Sequence, residues 1–508
     1  MKKTKQSRKF DFLAIENIFV PIALVFGIWL SFANPPFQSN DEDRHFYNAY
    51  AYANGYITSA NGMQWPENLV KIVQSYQGIP FAQGKKISRQ QLDYIATIPL
   101  NPDVKTDAKL TFFGCSTGYL FHIPGIWLGL LFNSTPLWIQ WITRIVGVMF
   151  YIAIVYMALR ITPVHKGLMF LLSLTPMFLF QASSISYDTP LLAFYFLITA
   201  LIYRFAFGET QHLKYRDLLL FIFLSILMIG AKDGYFLLLL LMFMVPYQKF
   251  GNIKNYILIA CFVLFGFFIK GTYYSSATML LSKIDASKAV ETVITPGAES
   301  QTGAVSAVKI DSAAKSSLID DEKFDDATVG LKPTGMQRDF AYGGSVNINV
   351  VLKTPFKYLG IFWDNFIMQK KNWVGGTIGR FGYSYTFLPD FVLVLHSLMI
   401  LLIAFIDVRR DINISFWRRL LALAVGLLSC VMIITGFFVG QSPAGAIMFF
   451  GIQGRYFAPM VLIMSLFLYN NFFEIKGWHK WQGVILGVYS TLILAYTVYF
   501  FNNTFYEP

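Results

Sequence analysis

Across 508 residues, 55% are apolar, 17% aromatic and only 14% charged, where soluble domains carry about a quarter charged residues. That balance excludes an ordinary soluble globular protein and points to a chain embedded in a bilayer. The 41 Lys and Arg exceed the 29 Asp and Glu by 12, but they lie between hydrophobic runs rather than in one patch, so no nucleic-acid partner is expected.

The basic start, Met1 to Lys9, and the apolar run Ile18 to Ala33 resemble a signal peptide without a convincing cleavage site. Residues 1–33 are therefore read as a cytoplasmic N-terminus and a retained first span. Pro35 and Pro36 stop that helix and hold the chain extended, so Asp41, Glu42 and Asp43 emerge just beyond the bilayer. Residues 34–136 form a first extracytoplasmic loop with short helices. Its last part, Tyr119 to Phe132, is too short to cross, contains Pro124, and reads as an interfacial helix.

Residues 137–272 hold spans two to seven, near Leu137–Leu159, Gly167–Gln181, Pro190–Phe207, Leu218–Ala231, Tyr235–Tyr247 and Tyr256–Thr272. Residues 273–388 form a second large extracytoplasmic loop. Its stretch from Ser275 to Gly335 is polar and expected to be mobile, and its aromatic stretch from Phe340 to Tyr385 should lie on the membrane surface. Residues 389–508 hold spans eight to eleven, near Pro389–Ile406, Trp417–Val439, Tyr456–Phe472 and Trp481–Phe501. The positive-inside rule fits about eleven crossings, because Arg160 with Lys166, Arg204 with Lys214, Lys249 with Lys254, Arg409 with Arg419, and Lys476 with Lys480 all fall in loops assigned to the cytoplasm. The C-terminus is then extracytoplasmic. No disulfide framework is expected from Cys115, Cys261 and Cys430.

This topology gathers the unusual polar residues on one face. Asp41 is either the N-cap of the helix that follows or a general base, with Glu42 orienting it. Asp41 and Asp43 are the candidate ligands if a divalent cation, Mg or Mn, takes part. His45 reads as packing beside the acids. Asp188, after Ser186 and Tyr187, either caps its helix or serves the site. Lys232 is half of a surface pair with Asp233 or meets a phosphate. Arg455, in Gln453-Gly454-Arg455-Tyr456, has the forked geometry that suits a phosphate and otherwise snorkels beside Tyr456. Lys370 and Lys371 contact lipid head groups or substrate. Arg144, inside the second span, needs an acidic partner. Walker loops, HExxH and paired Cys ligands are missing from the sequence, so the energy for any reaction must arrive with the substrate.

The order Pro35-Pro36-Phe37-Gln38 with Asp41-Glu42 and His45-Phe46, then Ser184-Ile185-Ser186-Tyr187-Asp188, then Gln453-Gly454-Arg455-Tyr456 with Pro459, resembles the DUF2142-type membrane family, which looks like a branch of the GT-C glycosyltransferases. The resemblance implies an all-α, GT-C-like polytopic fold at the cell membrane. It also implies inverting transfer of a sugar from a polyprenyl-phosphate donor to an extracytoplasmic glycan acceptor such as a cell-wall polysaccharide or teichoic acid. Asp41 would be the base, with Glu42 in support. Arg455 or Lys232 would bind the donor phosphate beside Gln453 and Tyr456, and Asp43, His45, Tyr187, Asp188, Lys370 and Lys371 would line the substrate site. A flippase for lipid-linked oligosaccharides and a polysaccharide polymerase are the alternatives.

Overall fold

Pro35 and Pro36 end the first hydrophobic helix, α1 (Ile15–Ala33), because neither can continue the backbone hydrogen-bond ladder. The computed structural model describes residues 12–56, 63–76, 86–106, 116–232, 234–265, 344–382, 386–472 and 474–507. Cys115, Asp233, the basic start and the expected mobile loop lie outside them.

The fold is mostly helical. After α1 come α2 (Glu42–Ala53), α3 (Glu67–Tyr76), α4 (Arg89–Ala96), α5 (Ile123–Leu131) and α6 (Pro136–Ile161). The last of these opens with Thr135 Oγ1 accepting from Trp138 N at 3.4 Å and with Pro136 in its first turn, where a missing N–H is harmless. Next are α7 (Lys166–Ser173), α8 (Pro176–Ala182), α9 (Asp188–Phe207), α10 (Tyr215–Ala231) and α11 (Ile253–Phe265). The described chain ends with α12 (Gly344–Lys353), α13 (Pro355–Ile378), α14 (Asp390–Ile406), α15 (Phe416–Gly440), α16 (Ala458–Met464) and α17 (Trp478–Phe505). Two short antiparallel strand pairs are present, Trp65–Pro66 with Lys105–Thr106 and Arg380–Phe381 with Thr386–Phe387, together with a single parallel bridge between Ile87 and Tyr506.

Among the described residues, five helices are long and apolar enough to cross a membrane: α1, α6, α9, α15 and α17. Helix α9 is the hub, buried along nearly its whole length against α6, α8 and α10. The others turn large apolar side chains outward, among them Trp29, Met149, Leu427 and Leu492, as a lipid environment permits. Several expected spans take other forms. The segment Gly167–Gln181 is two buried helices broken at Leu174 and Thr175, since Pro176 cannot donate and must start a new helix. Phe236–Met244 winds as a 3-10 helix, and the region after Tyr456 is the short α16 followed by a 3-10 turn, Ser465–Leu468.

Helix α5 has nine residues, about 14 Å at 1.5 Å per residue, too short for the roughly 30 Å hydrocarbon core. It folds back on α6 through Asn133, whose φ is 49°, with Gly125 against Thr143 and Gly129 against Ile139. At the end of the bundle remote from α2, Asp407 accepts from Gly167 N at 2.7 Å and Leu168 N at 3.1 Å, so a carboxylate after α14 caps α7. At the α2 end, the final turn of α17 fastens the first loop. Ile87 N donates to Phe505 O at 2.7 Å, Glu507 N donates to Ile87 O at 3.1 Å, and Tyr506 Oη donates to Phe32 O at 3.1 Å.

Candidate active site

The loop between α1 and α2 is held from behind by one arginine. Arg144 of α6 and Glu42 are both fully buried and paired at 2.6 Å. The guanidinium uses all five N–H donors: Nε and Nη2 meet the two oxygens of Glu42 at 2.7 and 2.6 Å, and the remainder reach the carbonyls of Ser31, Asn34 and Pro35. Glu42 Oε1 also accepts from Ile185 N at 3.0 Å. The partner that the sequence requires for Arg144 is therefore Glu42, and its carboxylate is a clamp joining α1, α2, α6 and the loop before α9.

That second loop, Ser183 to Tyr187, is fixed by its own short polar side chains. Ser184 Oγ donates to Phe180 O at 2.7 Å, Thr189 Oγ1 donates to Gln181 O at 2.8 Å, and Asp188 N donates to Ser186 Oγ at 3.0 Å. His122 Nε2 stands 2.8 Å from Ser186 O and anchors the loop from the side. The outcome is a rigid start to α9. The Asp188 side chain makes no capping bond; Tyr187 occupies the cap position without one either. The Asp188 carboxylate instead turns to two cations from distant parts of the chain.

Lys232 Nζ, at the end of α10, donates to Asp188 Oδ1 at 2.7 Å. Arg455 Nε lies 3.6 Å from Asp188 Oδ2, beyond hydrogen-bond reach, and is a buried N–H with no acceptor. The three side chains are only 7 to 15% exposed. The Lys232 ammonium sits 4.2 Å from the centroid of the Tyr456 ring and 4.9 Å from that of Tyr187, so aromatic faces stabilise it as water is excluded. Tyr456 in turn stacks on Phe437 at 5.0 Å and accepts through its carbonyl from Tyr235 Oη at 3.1 Å.

Arg455 reaches this position because Gly454 and Gly376 touch backbone to backbone. A Cβ on Gly454 would collide with the Trp373 carbonyl and with Gly376 Cα, so α13 packs directly on the turn that presents the arginine. Gln453, half-buried, opens that turn and accepts from Tyr456 N through its carbonyl.

His45 forms the third side. Its Nδ1 is 2.7 Å from Tyr119 Oη and its ring meets Tyr187 edge-on at 4.6 Å. Burial holds its pKa down to about 3, with Asp41 and Asp188 pushing up and Arg455 and Lys232 pushing down. The imidazole is therefore neutral, and four charged groups separated in the sequence surround it. Asp41 stands at the N-cap of α2 with φ 55° and makes no side-chain capping bond; Oδ1 lies 3.5 Å from Arg44.

Other expected site residues lie elsewhere. Asp43 neighbours Arg44 and Tyr47, and burial raises its carboxyl to about 6. Lys371 is exposed and pairs with Asp390 at 2.6 Å, and Lys370 beside it is also exposed on α13. Neither points to the Asp188 cluster. Tyr119, Tyr235 and His122 do belong to it or its support, and the sequence reading passed over them. His122 carried a signal, a polar residue inside an apolar run; the tyrosines looked like any interfacial aromatic. For a divalent cation the donor set is poor. Asp41 has Arg44 at 3.5 Å, burial favours a protonated Asp43 carboxyl, Glu42 is consumed by Arg144, and among the described residues no three His, Cys, Asp or Glu side chains converge as ligands.

A helical bundle with five bilayer-length apolar helices and a charged cluster at one end is a membrane protein. The chain belongs to the family described as Predicted membrane protein (DUF2142), whose sequence profile matches residues 24–298 and 328–464. No curated protein and no solved structure matches it.

Proposed function

We propose that the protein is an integral membrane glycosyltransferase that moves a sugar from a polyprenyl-phosphate donor to an extracytoplasmic glycan. The observation that carries this reading is the meeting of Lys232 and Arg455 around Asp188, with a buried guanidinium N–H left without an acceptor, beside a His45 that feels both these charges and Asp41. A buried donor with no protein acceptor is open to a water or a ligand. Charge-assisted donors from Arg455 and Lys232 suit the phosphate that leaves the sugar. Asp41 removes the acceptor hydroxyl proton as that oxygen bonds to the anomeric carbon. The bond from the anomeric carbon to the phosphate oxygen breaks on the opposite face, giving inversion and releasing the lipid phosphate.

The corresponding topology has a cytoplasmic N-terminus and about eleven crossings, the shorter ones made by broken helices buried inside the bundle. The charged cluster then faces outward. The test is transfer from a radiolabelled polyprenyl-phosphate sugar to extracted envelope glycan by the purified protein in nanodiscs. Asp41→Asn should abolish transfer while donor still binds, and Arg455→Ala should weaken donor binding in correctly inserted protein. Equal transfer by Asp41→Asn and the parent would refute the base assignment. Movement of intact lipid-linked glycan across the bilayer without sugar transfer would establish a flippase instead.

A further inference from the structure

Asp188 is an unexpected group to find in a phosphate cradle. It sits 2.7 Å from Lys232 and 3.6 Å from Arg455, where it repels any incoming anion. A site meant only to bind phosphate tightly would leave both cations uncompensated. The loop that places Asp188 is nevertheless held rigidly by Ile185, Ser186 and Thr189, so the carboxylate is built in rather than incidental. The nearby Asp41 carboxylate has Arg44 at 3.5 Å as its own counter-charge. Within the cradle two positive groups face one negative group, and the excess is a single positive charge.

We propose that Asp188 sets the charge of the ligand the cradle accepts, favouring a singly charged phosphodiester over a doubly charged phosphomonoester. The inference rests on the glycosyltransferase reading and deepens it. The donor, a sugar phosphodiester, carries one negative charge. Once the sugar has left, the lipid phosphate is a monoester with a second ionisation near pH 6, and it carries close to two. Asp188 matches the donor and disfavours the product, so it is a specificity residue that drives release of the spent lipid. Because the three groups are nearly buried, the opposing charge acts through a weakly screening medium.

The experiment compares equilibrium binding of two short-chain probes, citronellyl phosphate and its glucosyl phosphodiester, to the full chain in phosphatidylcholine nanodiscs. The parent, Asp188→Asn, Asp188→Glu and Arg455→Gln are measured at pH 8 and pH 5. At pH 8, Asp188→Asn should bind the monoester at least about tenfold more tightly than the parent does, the scale of one nearby charge. Its affinity for the diester should change less, and Asp188→Glu should keep the parental ratio. At pH 5, where the monoester carries one charge, the difference in selectivity should collapse. If Asp188→Asn weakens both probes alike while Arg455→Gln abolishes them, Asp188 merely positions the cations and the inference is overturned. Binding of both probes that is indifferent to Arg455→Gln overturns the cradle reading, and the inference with it.

Discussion

Replacing Glu42 by Gln tests the clamp behind the site. The substitution leaves the Arg144 guanidinium fully buried with three backbone carbonyls but no counter-charge, and turns one carboxylate oxygen into an amide that cannot accept from Arg144. Removing one partner of a buried pair costs about 3–5 kcal/mol, and losing the acceptor of Ile185 N adds about 1–3 kcal/mol where the amide cannot replace it. Arg144→Met alone should cost a similar amount by stranding the carboxylate. The double variant Glu42→Gln with Arg144→Met strands no charge and should cost well below the sum of the singles, because no unpaired ion stays buried. Equilibrium unfolding in mixed micelles, followed by tryptophan fluorescence, reads all four corners of the cycle. Single variants that each lose less than about 1 kcal/mol, or a double variant that loses the full sum, would refute a clamp that works as one unit.

Other substitutions probe separate parts of the site. Asp43 has its carboxyl raised to about 6 by burial, so the folded state holds its proton more tightly than the unfolded state; its stabilisation is complete below about pH 4 and is lost as pH rises through 6. Asp43→Asn should remove that slope and raise stability at pH 7.5 by on the order of 2 kcal/mol, read as the unfolding midpoint across pH. His45, held near 3, should contribute no limb to the pH–rate profile between 5 and 8, and a limb that vanished in His45→Asn would contradict its neutral state. Gly454→Ala drives a methyl into the Trp373 carbonyl; overpacking of this kind costs about 1–3 kcal/mol, and donor binding should fall further than with Gly436→Ala, where the added carbon meets nothing within 4 Å.

Much of this architecture was legible in the chain. Long apolar runs gave the positions of α1, α6, α9, α15 and α17, because a helix in lipid must satisfy its own backbone and can be read from hydropathy alone. Arg144 announced a buried partner for the same reason. Periodicity could not say which acid Arg144 would take. Asp41, Glu42 and Asp43 look equivalent in sequence, yet successive helix residues point about 100° apart: Glu42 turns into the bundle, Asp43 toward Tyr47, and Asp41 lies near His45. Asp188 and Lys371 were ambiguous likewise, since a carboxylate at a helix start and a lysine on a helix face acquire their partners only in three dimensions. The 3-10 winding of Phe236–Met244 was hidden by unbroken hydrophobicity, which reports burial and not helix type, whereas the break before α8 was marked by Pro176 inside a run read as one span.

The fastening of Ile87 and Phe32 by residues Phe505 to Glu507 also fixes an order of assembly. A ribosome adding about 5–20 residues per second needs tens of seconds to travel from the first loop to the helix that secures it. Throughout that interval the early loop lacks this anchor, and the end of the bundle that carries α2 is closed only when the final turn of α17 arrives.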